Sequence, residues 1–365
     1  MQKRERLLKV LNREKPDALP WFGDLDYWIN YLRTENLFPA QYQGDGGIQK
    51  MHADLGVGFY LQGHFPFRTL HDNLKISVEK NAGKEITTYA TPRGNLREVW
   101  QYSPESWSMA PVEHLVKNSD DLEILAYIYE HTFYEPYYDN IKLIQEAAGD
   151  NGVTLCYTPK SPFMELVALK AGIEAVVMMQ IDDESGFNQM ISVMDKKHKE
   201  AANLTIRSGC DCVMIPENLS SDLVGKHYYH TYMKNYHQSV NESIRQAGKY
   251  SFIHMDGVLR GLLDEVASAG FDVLEALTPA PVGDMRLDEI KQVMGDKAII
   301  CGGLPGGYFS DQISDDAFDQ TVIEIIQKLK GFPNAILGVA DQVVPGAKTE
   351  RIKRVNQLVE QYGYY

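Results

Sequence analysis

Residues 250–277, YSFIHMDGVLRGLLDEVASAGFDVLEAL, contain a complete strand–helix–strand unit. Its two ends are short apolar runs that carry His254 and Glu275, and its middle, at about 259–269, has apolar residues at helical spacing. Strands that are apolar on both faces and joined through a helix are typical of parallel sheets, because helices cover both sides of such sheets. This unit therefore predicts an α/β protein with a parallel sheet.

Similar apolar runs recur along the chain between helical segments, so the pattern predicts a (β/α)8 TIM barrel. The eight predicted strands lie at about 18–24, 57–63, 153–158, 210–217, 250–255, 272–278, 298–303 and 335–340. We predict an N-terminal helical extension at 1–14 and one long helix at about 119–148. Residues 74–103 alternate in the manner of a β-hairpin or meander, which indicates an insertion. We expect one domain over residues 1–365.

The composition is that of a globular protein and excludes some function classes. The chain has 365 residues, and its 36 basic and 50 acidic residues give a formal net charge of −14. Such a charge disfavours nucleic acid and anionic membranes as partners. The N-terminal segment alternates charges with leucines, so we expect neither a signal peptide nor a membrane anchor. Four cysteines in so long a chain do not form a disulfide framework, which predicts a reducing, cytoplasmic location.

Three potential metal ligands end predicted strands of the barrel. Glu217 follows CDCVMIP, His254 ends YSFIH, and Cys301 ends AIIC. The carboxyl ends of the strands form the mouth of a TIM barrel, where active sites lie. One carboxylate, one imidazole and one thiolate would suit zinc with an open fourth position. The alternatives are that Glu217 caps the next segment and that Cys301 is a small core residue.

Other strand-end residues are candidates for catalysis or substrate binding. Glu275 and Asp24 are possible acids or bases, and Asp256 and Asp341 are alternative ligands or partners of the histidine. Tyr27, Trp28 and His64 follow the first two strands, so we expect them to line an apolar wall for substrate. Aromatic residues that seal helices onto the sheet, and a structural carboxylate at Glu275, are the alternatives.

Several segments resemble the uroporphyrinogen decarboxylase superfamily. These are the opening RERLLKVLNREKPDALPW (4–21), the segment IHMDGVLRGLLDEVASAGFDVLEAL (253–277) and the closing AILGVADQVVPGAKTERIKRVNQLVEQYG (335–363). True decarboxylases of this superfamily carry an arginine-rich segment after the first strand. The corresponding stretch here, WFGDLDYWINYLRTENLF (21–38), contains only Arg33. The resemblance therefore implies the branch of corrinoid-dependent methyltransferases.

Within that branch, the thiol-methylating enzymes hold zinc with a His-x-Cys pair and a further cysteine. Here Asp256 stands at the second position of the pair, and Asp341 lies near the place of the other cysteine. The mixed set of Glu217, His254 and Cys301 is more similar to enzymes that demethylate methoxylated substrates. The resemblance thus implies zinc as cofactor and transfer of the methyl group to cobalamin.

The expected function is O-demethylation of a small methoxylated compound, for which an aromatic ring is expected. Zinc would polarise the ether oxygen and stabilise the leaving alkoxide. The chain lacks a DxHxxG cobalamin motif, so a separate corrinoid protein is the expected partner, and a monomer and a homodimer both remain open. The alternatives are a metal-free decarboxylase, a thiol or folate methyltransferase, and a non-catalytic scaffold for a corrinoid protein.

Overall fold

Parallel strands form the centre of the fold in the computed structural model, which describes residues 1–60, 64–104 and 107–365. The strands are β1 (Phe59–Tyr60), β2 (Phe67–His71), β3 (Lys75–Asn81), β4 (Lys84–Thr91), β5 (Gly94–Ser103), β6 (Ser108–Glu113), β7 (Thr132–Pro136), β8 (Gly152–Val153), β9 (Leu155–Tyr157), β10 (Cys212–Ile215), β11 (Tyr250–His254), β12 (Val273–Leu277), β13 (Ile299–Pro305) and β14 (Ala335–Ala340). A continuous parallel ladder joins β9, β10, β11, β12, β13 and β14 in chain order.

Shorter pairings continue this ladder at both ends. Strand β1 pairs in parallel with β8, which leads directly into β9. Parallel bridges join Phe22 to Gly58 and Trp21 to Leu337 of β14. The pairings therefore follow the order of an eight-stranded parallel barrel, with single bridges in place of a full first strand. Pro20 contributes to this interruption, since proline has no N–H to donate to a ladder.

The helices pack outside the strands and across their amino-terminal ends. They are α1 (Lys3–Leu11), α2 (Asp26–Thr34), α3 (Gly47–Leu55), α4 (Leu122–Glu130), α5 (Asp139–Ala148), α6 (Pro162–Glu165), α7 (Ile173–Asp182), α8 (Glu184–Arg207), α9 (Lys226–Tyr228), α10 (Lys234–Gln246), α11 (Leu263–Ala267), α12 (Leu287–Met294), α13 (Asp315–Leu329) and α14 (Thr349–Tyr362). Single π-helical turns follow α6, at Leu166–Lys170, and α9, at Tyr229–Met233. Among the described residues, no helix has the length and apolar character needed to cross a membrane.

Helix α1 covers the amino-terminal ends of the central strands. Leu7, Val10 and Leu11 are at most 3% exposed and pack in one cluster with strand residues such as Val153 and Ile299. Burial of each such side chain contributes about 1.5–3 kcal/mol of hydrophobic free energy. This packing leaves the carboxyl ends of the strands as the open side of the sheet.

The insertion is larger than the sequence predicted. Strands β3, β4, β5 and β6 form an antiparallel meander that extends to Glu113, beyond the expected limit of 103. Strand β2 pairs with β7 in a separate antiparallel ribbon. The single helix predicted at 119–148 is therefore wrong, because β7 separates α4 from α5. The β-branched and aromatic residues of Thr132–Pro136 favour a strand, and Pro136 disrupts a continuing helix.

The second predicted strand is described only in part. Residues 57–60 contain β1, whereas 61–63, which the prediction included, lie outside the described residues. The predicted strand at about 298–303 forms β13, which continues beyond 303 to Pro305. Gly302 allows this continuation because a Cβ there would lie 2.6 Å from the carbonyl oxygen of Leu277 on the neighbouring strand.

Candidate active site at the carboxyl ends of the strands

His254 and Glu275 form the centre of the candidate site. They are register partners on the adjacent strands β11 and β12. The Nδ1–H of His254 donates to Oε2 of Glu275 at 2.6 Å, and both side chains are buried. The hydroxyl of Tyr60 donates to the other carboxylate oxygen, Oε1, at 3.2 Å. These bonds orient the imidazole so that Nε2 is the nitrogen left for a ligand or substrate.

A bulge in β12 shapes the backbone beside Glu275. The register of β12 with β13 shifts between Leu274 and Leu277, and Ala276 has φ +66°. This left-handed conformation costs about 1–2 kcal/mol for a residue with a side chain. Bulges are common next to active sites, where they redirect a side chain. The bulge therefore contributes to the placement of Glu275 against His254.

Carboxyl groups surround the free nitrogen of His254. Oδ1 of Asp341 lies 3.6 Å from Nε2, and Oδ1 of Asp256 lies 4.0 Å from it. Burial by itself would lower the pKa of His254, but Glu275, Asp256 and Asp341 outweigh this effect and raise the pKa to about 9. These carboxyl groups therefore favour the imidazolium form of His254, which has protons on both ring nitrogens.

Two of the acidic residues have raised pKa values. Burial raises the pKa of Asp341 to about 6, with Asp256 and Glu275 acting in the same direction and His254 opposing them. Asp24 is 5% exposed, and burial together with the neighbouring Asp26 raises its pKa well above the ordinary value. Its Oδ1 accepts from the backbone N–H of Asp26 at 2.8 Å. Asp24 is thus suited to hold a proton near the site.

Glu217 does not join this group. It is fully buried and accepts from Nε2 of His237 at 2.6 Å and from the backbone N–H of Ser161 at 3.0 Å. The chain turns sharply after β10, where Asn218 has φ +54°. Since Glu217 contacts the β9–α6 loop and helix α10, it lies in a different environment from His254.

Cys301 also departs from the predicted position. It lies within β13, opposite Ile336 of β14, and belongs to the apolar cluster inside the barrel with Phe22 and Tyr60. Burial raises the pKa of its thiol well above the ordinary value, and Glu275 adds to this effect. The cysteine is therefore a protonated thiol in the barrel interior, below the strand ends.

The predicted zinc ligands Glu217, His254 and Cys301 are consequently not assembled around one point. Within residues 1–60, 64–104 and 107–365, no group of three or more His, Cys, Asp or Glu side chains is placed to hold a metal ion. The structure instead brings together His254, Glu275 and Asp341 from the predicted residues. Asp24 is electrostatically coupled to the last two.

The predicted substrate-binding residues lie in three different environments. Trp28 is 1% exposed and its indole N–H donates to the carbonyl of Ala347 at 3.0 Å, as expected of a packing residue. Tyr27 is partly exposed. Burial raises the pKa of its hydroxyl, and the nearby Asp341 and Asp24 add to this effect, so Tyr27 lies beside the site. His64 is partly buried, and its carbonyl accepts from the N–H of Tyr157 at the end of β9.

Tyr60 was missed by the sequence analysis. Its position could have indicated a role, because Tyr60 lies in the predicted second strand and a buried tyrosine hydroxyl usually forms a hydrogen bond. Its partner Glu275 is distant along the chain, so the contact depends on the tertiary structure. Beside Tyr60 and Asp24, a cavity of about 360 Å³ is also lined by Asp26, Asp45 and His52. This cavity provides space next to the acidic group.

Comparisons with known proteins identify the family. The model of the family described as "Uroporphyrinogen decarboxylase (URO-D)" matches residues 108–362, more than half of the chain. No curated protein matches the chain. Among solved structures, a methyltransferase from Methanosarcina mazei is similar over 99% of both chains, with a TM-score of 0.66 and 14% identity. The pneumococcal virulence factor StrH is similar over 97% of this chain and 84% of that chain, at 13% identity, but its TM-score of 0.41 supports no inference.

At 14% identity, the likeness to the M. mazei protein is a likeness of fold. The family and this shared fold imply a TIM barrel, in agreement with the order of the strand pairings. The resemblance inferred from the sequence is thereby confirmed, and the chain belongs to the uroporphyrinogen decarboxylase (URO-D) family.

Proposed function

We propose that this protein is a methyltransferase that takes a methyl group from a small methoxylated aromatic compound and passes it to the cob(I)alamin of a separate corrinoid protein. The shared fold with the M. mazei methyltransferase supports the reaction class. The observation that carries the proposal is the geometry of His254, which Glu275 orients so that its Nε2 lies among carboxyl groups at the strand ends.

His254 would act as the general acid. Cleavage of a methyl ether breaks the bond between the methyl carbon and oxygen, and the electron pair remains on a strongly basic alkoxide or phenoxide. A proton from Nε2 neutralises that oxygen as the methyl carbon forms its bond to the corrinoid of the partner. Glu275 stabilises the imidazolium before the transfer and holds the ring in place, and Tyr60 fixes the carboxylate. The proton then returns to His254 from solvent.

Whether zinc fits this site depends on the donor atoms that the site offers. Zinc, when bound, would supply Lewis acidity at the ether oxygen. The set of Glu217, His254 and Cys301 does not fit the ion, because Glu217 is engaged by His237 and Cys301 lies in the barrel interior. We therefore derive no step through zinc, and the metal remains a prediction from the family resemblance.

A metal-free decarboxylase is the second candidate, favoured by membership of the uroporphyrinogen decarboxylase family. The carboxyl groups of Asp256, Glu275 and Asp341 lie around the ring of His254. This cluster of acidic side chains disfavours a substrate with several carboxylates, because like charges repel strongly where water is excluded. This arrangement favours methyl transfer over decarboxylation of a tetracarboxylate.

The test is a panel of methoxylated compounds incubated with the protein and a reduced corrinoid protein. Conversion of cob(I)alamin to methylcobalamin, followed by absorbance, is the expected result. His254→Gln should reduce the rate by about 100-fold or more, the usual contribution of a general acid. Reaction only with a thiol or folate acceptor would assign the protein to the opposite half-reaction, and carbon dioxide release would assign it to the decarboxylases.

A further inference from the structure

A second cavity, of about 420 Å³, lies between the insertion and the strand ends. Strands β2 and β7 and helix α4 form one side, and the loop after β9 together with the segment after α6 forms the other. None of His254, Glu275, Asp341 or Asp24 lines it. The volume is near the lower end of the usual range for small-molecule sites, which suits a molecule with one ring better than a tetrapyrrole.

Aromatic rings form one wall of this cavity. The ring of Phe67 contacts Tyr134 and Phe65 edge to face, with centroids 5.3 and 5.7 Å apart. Tyr89 and Tyr129 complete the aromatic lining. Planar apolar ligands are stabilised by such surfaces because ring stacking adds to the burial of apolar area.

A buried polar network lies at the opposite side. Tyr129 donates to Oε1 of Glu165 at 2.6 Å, and Nε2 of His198 lies 3.5 Å from Oε2. Nδ1 of His198 donates to the carbonyl of Lys160 at 2.8 Å. His198 and its neighbours thereby hold Glu165 in place. Burial would raise the pKa of Glu165, but His198, Lys170 and Tyr129 keep it below the ordinary value.

Lys170 is the group available to a ligand. Its Nζ lies 4.0 Å from Oε1 of Glu165, which is beyond hydrogen-bonding distance, and its side chain is 20% exposed. The ammonium group carries three N–H donors. In contrast, Lys160 donates to the carbonyl of Pro216 and to Oδ1 of Asn218.

The charges of the lining favour an anion. Lys160 and Lys170 provide two positive charges against the single carboxylate of Glu165. Lys170 is paired with Glu165 only at 4.0 Å, so an anionic ligand within hydrogen-bonding distance of Nζ would add a stronger, charged hydrogen bond. Lys160 also interacts with Asp256 near His254, which connects the cavity electrostatically with the candidate active site.

We propose that this cavity binds an aromatic carboxylate, with its ring against Phe67 and Tyr134 and its carboxylate on Lys170. This binding is independent of the proposed function, because none of the four residues of the candidate active site lines the cavity. A methoxylated benzoate carries both the ring and the anion.

The experiment is calorimetric titration of the protein with 4-methoxybenzoate, and with methoxybenzene and benzylammonium as neutral and cationic analogues. The carboxylate should bind at least about tenfold more tightly than either analogue, since charged hydrogen bonds are the stronger ones. Lys170→Met should remove this preference. Lys142→Met, on an 82% exposed side chain of α5, is the matched control and should leave binding unchanged.

Phe67→Ala provides a second variant that leaves the charges intact, and it should weaken binding of all ring compounds. Loss of 4-methoxybenzoate binding in His254→Ala but not in Lys170→Met would overturn the proposal, as would equal affinity for the three ligands or no binding at millimolar concentration. Normal binding without methyl transfer would instead count against the proposed function alone.

Discussion

His254 and Glu275 face each other on neighbouring strands and share a 2.6 Å hydrogen bond that keeps the histidine charged. In Glu275→Gln the shape of the side chain is retained but its charge is lost. The pKa of His254 should then fall from about 9 toward or below its ordinary value, because burial is no longer opposed by Glu275. Titration of the imidazole signals by NMR measures this change.

Tyr60→Phe is the matched control for that variant, since it removes a hydrogen bond to Glu275 and leaves the charge. The pKa of His254 should stay near 9 in this control. In Glu275→Gln, methyl transfer should be slow above the new pKa and recover at lower pH. An unchanged pKa in Glu275→Gln would contradict the electrostatic role of this carboxylate.

Stability should decrease with rising pH on the alkaline side. The pKa of His254 in the folded protein is raised from 6.5 to about 9, so its contribution is complete below 6.5 and is lost as the pH rises through 9. The free energy of unfolding should fall by on the order of 3 kcal/mol over this range. Urea unfolding at several pH values measures it.

His254→Gln is the control for the pH dependence and should flatten the curve in this range. Asp341 affects the free energy of unfolding at lower pH. Its pKa is raised from 3.8 to about 6, so its contribution to stability is complete below 3.8 and is lost as the pH rises through 6. A wild-type curve as flat as that of His254→Gln would show that the histidine is not charged in the folded state.

Glu217→Ala should affect stability and not metal content. Removal of one partner from the buried pair with His237 costs about 3–5 kcal/mol, because the remaining group is left without its partner. Urea unfolding measures the loss, and elemental analysis of protein purified without added zinc measures the metal. Cys301→Ala is the comparison variant. Loss of about one zinc per chain in both variants would instead support Glu217 and Cys301 as zinc ligands, as predicted from the sequence.

Trp28→Ala should lower the free energy of unfolding by about 3–5 kcal/mol, the usual cost of truncating a fully buried tryptophan. The KM for the methyl donor should remain unchanged, because the indole contacts the core and Ala347. Tyr27→Phe, next to it on α2 and beside Asp341, is the comparison. A raised KM without a loss of stability in Trp28→Ala would instead indicate that Trp28 contacts the substrate.

Local sequence patterns were sufficient for the elements on the carboxyl side of the chain. The segments around His254, Glu275 and Ala335–Ala340 form strands as predicted, since their apolar character reflects burial on both faces. Residues 119–148 were predicted wrongly because the pairing partner of Thr132–Pro136 is β2, far away in sequence. Helical periodicity in the flanking segments concealed this strand.

The sequence by itself determined the family, the parallel α/β architecture and the position of His254 at the end of a strand, because apolar runs and segment resemblance are properties of consecutive residues. Only the tertiary structure decided which polar side chains meet that histidine. A turn after β10 takes Glu217 to His237, the length of β13 places Cys301 inside the barrel, and the register of β11 with β12 brings Glu275 to His254. These outcomes depend on strand register and backbone turns, which single residues along a chain do not reveal.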